Sequence, residues 1–281
     1  DPTPVKPNFR YWQYNITVAL ILSISGSAFG QLQYPVDVAV SGEDIYVVDR
    51  KLPGVLKIDT NGTLSEIFKA SKKFRTPLNA ARCVVVSPQG TIIVGDSSTR
   101  QLYKMGGANP EPLLTNPTGI GVPYAMVFDK DENLFVADLE APGRIFKIPA
   151  GSTQPEPFAI QPGVRGLAVD PQGNLIAVTG LAEALLKYSP AGKRTVIAGN
   201  RPFRFPNSVA VKGDQIFVCD SYKKCVWQIN PAGEVTEFCS EGISYPGGLA
   251  VQGDKLLVTD SKAKKIFSIG NDGKAVEVPI K

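Results

Sequence analysis

The chain repeats one pattern six times, and this repetition limits its fold more than any other property of the sequence. The repeats begin at Pro35, Ala81, Pro123, Val164, Pro206 and Pro246. Each holds four short runs of β-branched and other apolar residues, separated by turns rich in Gly, Asn, Asp and Pro, which is typical of antiparallel strands. No repeat has the 3.6-residue apolar period of an amphipathic helix. Four strands in about 40 residues predict an all-β, six-bladed β-propeller with four antiparallel strands per blade.

The repeats account for residues 31–281, which we expect to form one domain, and they leave residues 1–30 outside it. Residues 16–29 are a run of 14 mostly apolar residues, which is too short for a stable membrane span. Two cations precede this run and small residues end it, as in an export signal. We therefore expect a secreted or periplasmic protein whose processed chain begins at Gln31. A strand or helix packed on the domain is the alternative.

Two short motifs recur in the repeats. The first strand opens as "FPNSVAV" or "YPGGLAV", and the second strand closes as "IFVCDS" or "LLVTDS". In these motifs the chain resembles the NHL-repeat family of β-propellers, over nearly all of residues 35–281. The resemblance implies the six-bladed fold. It leaves the function open, because the family includes enzymes, sensors and binding modules.

An aspartate ends the second strand in five of the six repeats, and a threonine takes its place in the fourth. A carboxylate at a strand end accepts hydrogen bonds from the amides of the following loop. Because these residues belong to separate blades, we expect a structural role for them and not a shared metal site. They are Asp49, Asp96, Asp138, Thr179, Asp220 and Asp260.

The chain contains no histidine, which excludes Ser-His-Asp and Cys-His catalysis and imidazole metal sites. Propellers similar to gluconolactonase and regucalcin imply another chemistry, with a metal held by a glutamate, an asparagine and an aspartate at the innermost strands. Here Asn207 matches that asparagine, and Asp37 is the one nearby acid. Arg82 and Arg165 occupy matching positions and would repel a cation. We therefore expect no metal and no cofactor.

Charge is sorted between the two faces of the expected ring. The loops that enter first strands, and those that join second to third strands, should open on one face, which we call the basic face. They carry seventeen of the 30 Lys and Arg residues, whereas acidic turns fill the opposite face. The seventeen are Arg50, Lys51, Lys69, Lys72, Lys73, Arg75, Arg82, Arg100, Arg144, Arg165, Arg201, Arg204, Lys223, Lys224, Lys262, Lys264 and Lys265.

The centre of the basic face holds the candidate ligand-binding residues, which are Arg82, Tyr124, Arg165 and Asn207, with Asp37 one residue out of register. Arginine forms paired hydrogen bonds with carboxylate, sulfate or phosphate, and tyrosine offers a flat stacking surface. The sequence therefore predicts a monomeric binding module for an anionic small molecule, glycan or protein partner. A lactonase or sugar-acid hydrolase using the same axial funnel is the alternative. RNA, which NHL domains of translational repressors bind, fits the basic face but not an export signal.

Three of the four cysteines, Cys219, Cys225 and Cys239, fall in the fifth repeat, and the fourth is Cys83. Hairpin turns at the predicted positions set Cys219 opposite Cys225, and Cys225 opposite Cys239, close enough for a disulfide. In an exported protein one disulfide is expected, and Cys225–Cys239 is the favoured pair. Buried free thiols are the alternative.

Overall fold

A computed structural model describes residues 31–52, 54–115 and 119–281. In it, six antiparallel sheets of four strands are arranged as the blades of a ring, and each sheet has its strands in chain order. The first strands of neighbouring blades lie side by side around the axis. The predicted all-β six-bladed propeller is confirmed. The export signal predicted in residues 1–30 lies outside the described residues, and the described part contains no helix able to span a bilayer.

Every blade begins at the residue that the repeat predicts. Blade one contains β1 (Pro35–Ser41), β2 (Asp44–Asp49), β3 (Gly54–Ile58) and β4 (Leu64–Lys69), and blade two contains β5 (Ala81–Val86), β6 (Ile92–Asp96), β7 (Gln101–Met105) and β8 (Glu111–Pro112). Blade three contains β9 (Pro123–Phe128), β10 (Leu134–Asp138), β11 (Arg144–Ile148) and β12 (Glu156–Ile160), and blade four contains β13 (Val164–Val169), β14 (Leu175–Thr179), β15 (Leu185–Tyr188) and β16 (Arg194–Ala198). Blade five contains β17 (Pro206–Lys212), β18 (Gln215–Asp220), β19 (Cys225–Ile229) and β20 (Val235–Cys239), and blade six contains β21 (Pro246–Gln252), β22 (Lys255–Asp260), β23 (Lys265–Ile269) and β24 (Ala275–Glu277).

Glycine sets the register of the first hairpin in blades one, five and six. In each of these hairpins two residues join the paired strand ends, and the first is Gly42, Gly213 or Gly253. Their φ angles are 57°, 62° and 58°. A positive φ at this position gives the tight turn a twist that matches the twist of the two strands. The turn glycine therefore gives blades one, five and six the same register between their first two strands.

The hydrophobic core lies between adjacent blades, and the cluster between blades six and one closes the ring. We call this cluster the seam. It combines Leu32, which is 0% exposed, with residues of β1 to β3 and with Leu257 and Ile266 of blade six. Val278 and Ile280 pack against the same cluster. Because each sheet consists of one contiguous stretch of chain, side-chain packing and not strand exchange joins the blades.

The cysteines of blade five do not have the predicted register, and the structure has all four cysteines of the chain as buried free thiols. Cys225 pairs with Asp220 across the hairpin of β18 and β19, and a bulge between Val226 and Trp227 places Cys239 opposite Val226. Successive residues of a strand point to opposite faces of its sheet. Cys225 and Cys239 therefore lie on opposite faces, and the predicted Cys225–Cys239 disulfide is wrong for this structure.

Candidate functional site

The strand-end aspartates fix the loops of the basic face. The Asp49 carboxylate accepts hydrogen bonds of 2.6 to 3.0 Å from the backbone amides of Gln33, Tyr34, Lys51 and Leu52. The first two precede the innermost strand and the last two follow the second strand, so one carboxylate ties two loops together. Equivalent bonds are made by Asp96, Asp138, Asp220 and Asp260. The structural role predicted for these residues is confirmed.

Blade four departs from this arrangement for a reason that is visible in its sequence. The residue two places before its first strand is Pro162, which has no N–H to donate. A carboxylate there would lose a partner, and Thr179 stands in its place. The Thr179 hydroxyl donates to the Glu183 carbonyl at 2.9 Å and accepts from the Leu181 amide at 3.1 Å. One hydroxyl thus satisfies a loop that offers fewer amides.

The innermost strands surround a cavity of about 490 Å³ on the propeller axis, which we call the funnel. Valines near the far ends of the same strands line it toward the opposite face, so the charged and polar side chains of the funnel lie at the basic face. The second residue of each innermost strand lines the open end, and all six are half-buried. They are Val36, Arg82, Tyr124, Arg165, Asn207 and Gly247. The structure thus brings the predicted residues together, with Asp37 in the same wall.

Neighbouring groups hold two of these side chains in place. The Arg82 Cζ lies 5.8 Å from the centroid of the Tyr124 ring, and its Nε donates to Ser97 Oγ at 3.3 Å. The Asn207 amide donates from Nδ2 to the Pro246 carbonyl of the next blade at 3.2 Å. Burial raises the pKa of Tyr124, although the two arginines act to lower it. Tyr124 therefore remains a neutral hydrogen-bond donor beside the arginines.

Arg165 is held by a stack of aromatic rings that sequence reasoning missed. Its Cζ lies 3.9 Å from the centroid of the Phe205 ring. The Tyr222 ring stacks on Phe205 with centroids 4.8 Å apart and planes 17° apart. Two groups this close to one ring must occupy its opposite faces, so the layers run from Arg165 through Phe205 to Tyr222. The signal in the sequence was that Phe205 follows Arg204 and Tyr222 precedes Lys223, so that an aromatic residue stands next to a cation in both of these loops.

Asp37 is the carboxylate of the funnel wall. Its Oδ2 accepts a hydrogen bond from the Val84 amide at 2.9 Å. Burial raises the pKa of Asp37 to about 7, and the amides of Val84 and Val38 limit that rise. Blade six accommodates the residue because position 248 is glycine: a Cβ on Gly248 would lie 2.6 Å from both the Cα and Oδ1 of Asp37. The acid is therefore built into the wall, and it is largely protonated below neutral pH.

The funnel does not fit the metal that gluconolactonase-like propellers imply. Its side chains offer Asp37 and Asn207 as oxygen ligands, opposed by Arg82 and Arg165, and the Asp37 carboxylate already accepts the Val84 amide. Calcium takes six to eight oxygen ligands. Across the described ranges, no group of three His, Cys, Asp or Glu residues is arranged to hold a metal ion. The residues of the funnel therefore do not form a calcium site.

Arg144 has a structural role and is not an available cation of the basic face. One of its terminal nitrogens donates to the buried Asp138 carboxylate at 3.0 Å and to the Gly119 carbonyl at 2.8 Å. Its Cζ lies 4.9 Å from the centroid of the Phe146 ring. The guanidinium is therefore committed to holding the loops of blade three.

Other cations of the basic face are also neutralised by nearby acids that charge counting along the sequence overlooked. Arg100 pairs with Glu140 at 2.8 Å. The remaining pairs are Lys265–Glu277 at 2.5 Å and Lys69–Glu66 at 3.9 Å. In the described part of the chain, the cations of this face that form no ion pair thus lie mainly over blades one, two, five and six.

A second cavity, of about 670 Å³, opens on the basic face at blades five and six, and we call it the cleft. Its cations are Arg201, Arg204, Lys223, Lys224 and Lys262. The exposed Tyr222 and the half-buried Tyr245 also line it, and Tyr245 lines the funnel as well. The two cavities therefore share a wall. Sequence reasoning counted these cations on the right face but did not group them.

Comparison with known proteins identifies the repeat and the fold. Residues 203–229 match the family model of the NHL repeat. A virginiamycin B lyase from Staphylococcus aureus has a similar structure, with a TM-score of 0.68 and 17% identity over 90% of this chain and 86% of that chain. A gluconolactonase from Xanthomonas campestris gives 0.69 and 13% over 82% of this chain and 84% of that one. A chain of a nidogen/laminin complex gives 0.66 and 19% over 76% and 83%.

A search of curated proteins finds no sequence that matches this chain significantly. The match over residues 203–229 covers β17 to β19 and the loop that precedes them. It confirms the resemblance that the recurring motifs indicated. The solved structures share the fold at identities too low to indicate a common activity. The chain is a six-bladed β-propeller that carries an NHL repeat in its fifth blade.

Proposed function

We propose that the protein is an exported binding module that takes an anionic ligand into the funnel. The observation that supports this most is the presence of two half-buried arginines, Arg82 and Arg165, in one cavity with Tyr124 contributed by the blade between them. Neither arginine forms an ion pair with any described residue. Among the described residues of the wall Asp37 is the one acid, and below neutral pH it is protonated, so it does not compete with an incoming anion.

Both arginines are held before a ligand arrives. Arg82 is held by Ser97 and Tyr124, and Arg165 by the ring of Phe205. Charge-assisted hydrogen bonds contribute about 1.5–3 kcal/mol each, and a held guanidinium loses little rotamer entropy on binding. The ligand class is an anionic small molecule, a glycan or an acidic segment of a protein. Exposed lysines at the rim would mainly speed association and respond to salt.

The experiment measures binding of sulfated, phosphorylated and carboxylated monosaccharides by calorimetry at about pH 6, below the pKa of Asp37. Arg82→Ala with Arg165→Ala should abolish binding. The matched control is Lys72→Ala with Lys73→Ala, which removes the same charge from an exposed loop of the same face. The control should weaken binding at low salt only. A ligand that binds equally well to all three proteins would place recognition outside the funnel.

A second candidate function, hydrolysis of a sugar-acid lactone without a metal, is favoured by Asp37 alone. A carboxylate whose pKa is about 7 has the basicity that suits a general base at neutral pH. Lactone hydrolysis that persists with a chelator and is lost in Asp37→Asn would support this function. Histidine-dependent lyase chemistry is not proposed. A histidine-to-alanine variant of virginiamycin B lyase is described as catalytically inactive, and this chain has no histidine.

A further inference from the structure

We propose that the cleft is a second subsite of the same binding surface, and that the ligand is an elongated acidic oligosaccharide. One acidic group would occupy the funnel, and the chain of sugars would continue over Tyr222 and Tyr245 into the cleft. This inference rests on the proposed function and adds to it a ligand class and a direction of binding. Three observations support it. The two cavities share a wall, the cations of the cleft form no ion pairs with described residues, and a stack of aromatic rings connects the two cavities.

Funnel and cleft are continuous along the loops of blades five and six. Tyr245 lines both cavities. Phe205 lines the funnel and follows Arg204 of the cleft, and Ser261 lines the funnel and precedes Lys262 of the cleft. A ligand that leaves the funnel on this side therefore enters the cleft without crossing another blade.

The five cations of the cleft are available to a ligand. All five residues are exposed, and none of them forms an ion pair with a described residue. They are Arg201, Arg204, Lys223, Lys224 and Lys262. On the opposite side of the ring, by contrast, Glu140 neutralises Arg100, and Asp138 holds Arg144. Five like charges around one cavity repel one another, and an anion in the cleft relieves that repulsion.

The stack of Arg165, Phe205 and Tyr222 connects the two subsites. Arg165 lines the funnel, Phe205 lies in the middle, and Tyr222 is 60% exposed at the cleft. One face of the Tyr222 ring is covered by Phe205, which leaves the other face as a flat apolar platform. The apolar face of a sugar ring fits such a platform, and the half-buried Ser244 lines the same cleft.

A polyanionic sugar suits the cleft better than a nucleic acid does. Proteins that bind single strands supply a series of aromatic side chains, on which successive bases stack. Among the described residues that line the cleft, Tyr222 is the only exposed aromatic. Its cations are three lysines and two arginines, which fit repeated sulfate or carboxylate groups as separate charges. We therefore propose an acidic oligosaccharide as the ligand of the cleft, and an oligonucleotide serves as the alternative probe in the experiment.

The test compares a sulfated disaccharide with a sulfated hexasaccharide of the same repeating unit, by calorimetry at about 0.15 M salt. Filling both subsites should make the hexasaccharide bind the wild-type protein at least about tenfold more tightly. Lys223→Ala with Lys224→Ala should remove that gain and leave disaccharide binding unchanged. The control is again Lys72→Ala with Lys73→Ala, which removes equal charge from exposed positions outside the cleft. The control should change hexasaccharide affinity less than about twofold.

Four outcomes would overturn the inference. The cleft is not a subsite if Lys223→Ala with Lys224→Ala and the control Lys72→Ala with Lys73→Ala lower hexasaccharide affinity equally. It is also not a subsite if Lys223→Ala with Lys224→Ala changes the affinity for neither sugar while Arg82→Ala with Arg165→Ala still abolishes binding. In the second case the proposed function stands. An oligonucleotide of matched charge that binds more tightly, and loses its affinity with Lys223 and Lys224, would assign the cleft to nucleic acid. If no anionic probe binds the wild-type protein, the proposed function fails as well.

Discussion

Asp37 is the residue of the funnel whose charge changes near neutral pH. Burial raises its pKa from an ordinary value of 3.8 to about 7. Its neighbours in the funnel are arginines and tyrosines, and the chain has no histidine. Between the two pKa values the folded protein holds one more proton than the unfolded chain at this site. The free energy of unfolding therefore has its full value below pH 3.8 and falls as the pH rises to about 7.

Asp37→Asn should remove this loss of stability. Asparagine keeps an acceptor for the Val84 amide but carries no charge. We expect equal stability of variant and wild type near pH 4, and a higher free energy of unfolding for the variant at pH 8. Urea denaturation across this range measures the difference. Asp214→Asn, in an exposed turn, is the control. A difference between Asp37→Asn and wild type that does not vary with pH would contradict the assignment.

The same titration should tune ligand binding. Protonation of Asp37 removes the negative charge that competes with a bound anion for Arg82 and Arg165. The affinity for a sulfated monosaccharide should therefore rise several-fold as the pH falls from about 8 to about 6. A sulfate probe is used because its own charge does not change in this range. Asp37→Asn should bind with an affinity that is independent of pH. A pH profile shared by both proteins would refute this assignment.

At the scale of the elements, the residue that ends each second strand is matched to the number of backbone amides that the neighbouring loops offer as hydrogen-bond donors. Five blades supply a carboxylate to several amides, and blade four supplies a hydroxyl because Pro162 removes one donor. Thr179→Asp should consequently destabilise the protein by about 3 kcal/mol, because a buried charge would lack its full set of partners. Thr195→Asp, on an exposed outer strand, should cost much less. Thermal denaturation of both variants checks this, and equal losses would count against the proline explanation.

Sequence reasoning located the elements well, because turn residues and strand alternation are local properties. The same register predicted that four candidate ligand-binding residues would meet, and the structure brings them together in the funnel. They are Arg82, Tyr124, Arg165 and Asn207. The sequence shows an aromatic residue next to a cation in both loops of blade five, but not that Phe205 and Tyr222 stack on Arg165, since the stack depends on how these loops approach the first strand of blade four. The raised pKa of Asp37 was also not visible in the sequence, because it depends on burial of the carboxyl group against blade six. The predicted Cys225–Cys239 pairing failed because a bulge leaves no visible mark in a five-residue strand.

At the scale of the whole molecule, the ring depends on the seam between blades six and one. Every sheet is complete within residues 35–277, so deleting residues 1–30 should leave the melting temperature nearly unchanged. Leu32 lies beyond that deletion and is fully buried in the seam. In the shortened protein, Leu32→Ala should therefore lower stability by about 2–5 kcal/mol. Leu181→Ala is the control because that side chain is 46% exposed.

Calorimetry of the shortened protein and of its two variants tests the seam. A large loss of stability on deletion of residues 1–30 would mean that this segment contributes to the folded ring. Equal effects of Leu32→Ala and Leu181→Ala would mean that burial in the seam does not hold blades six and one together.

Among the described residues no strand is exchanged between blades at the seam, so the packing treats the order of the blades as cyclic. Each blade is one stretch of chain, and the seam joins its two neighbours by the same kind of packing as the other interfaces. We expect a circular permutant opened in the turn at Gly213, with a linker from Ile280 to Leu32, to keep all six residues at the open end of the funnel facing one another. The packing between blades therefore does not fix which blade stands first along the chain, because each described sheet is a single stretch of sequence.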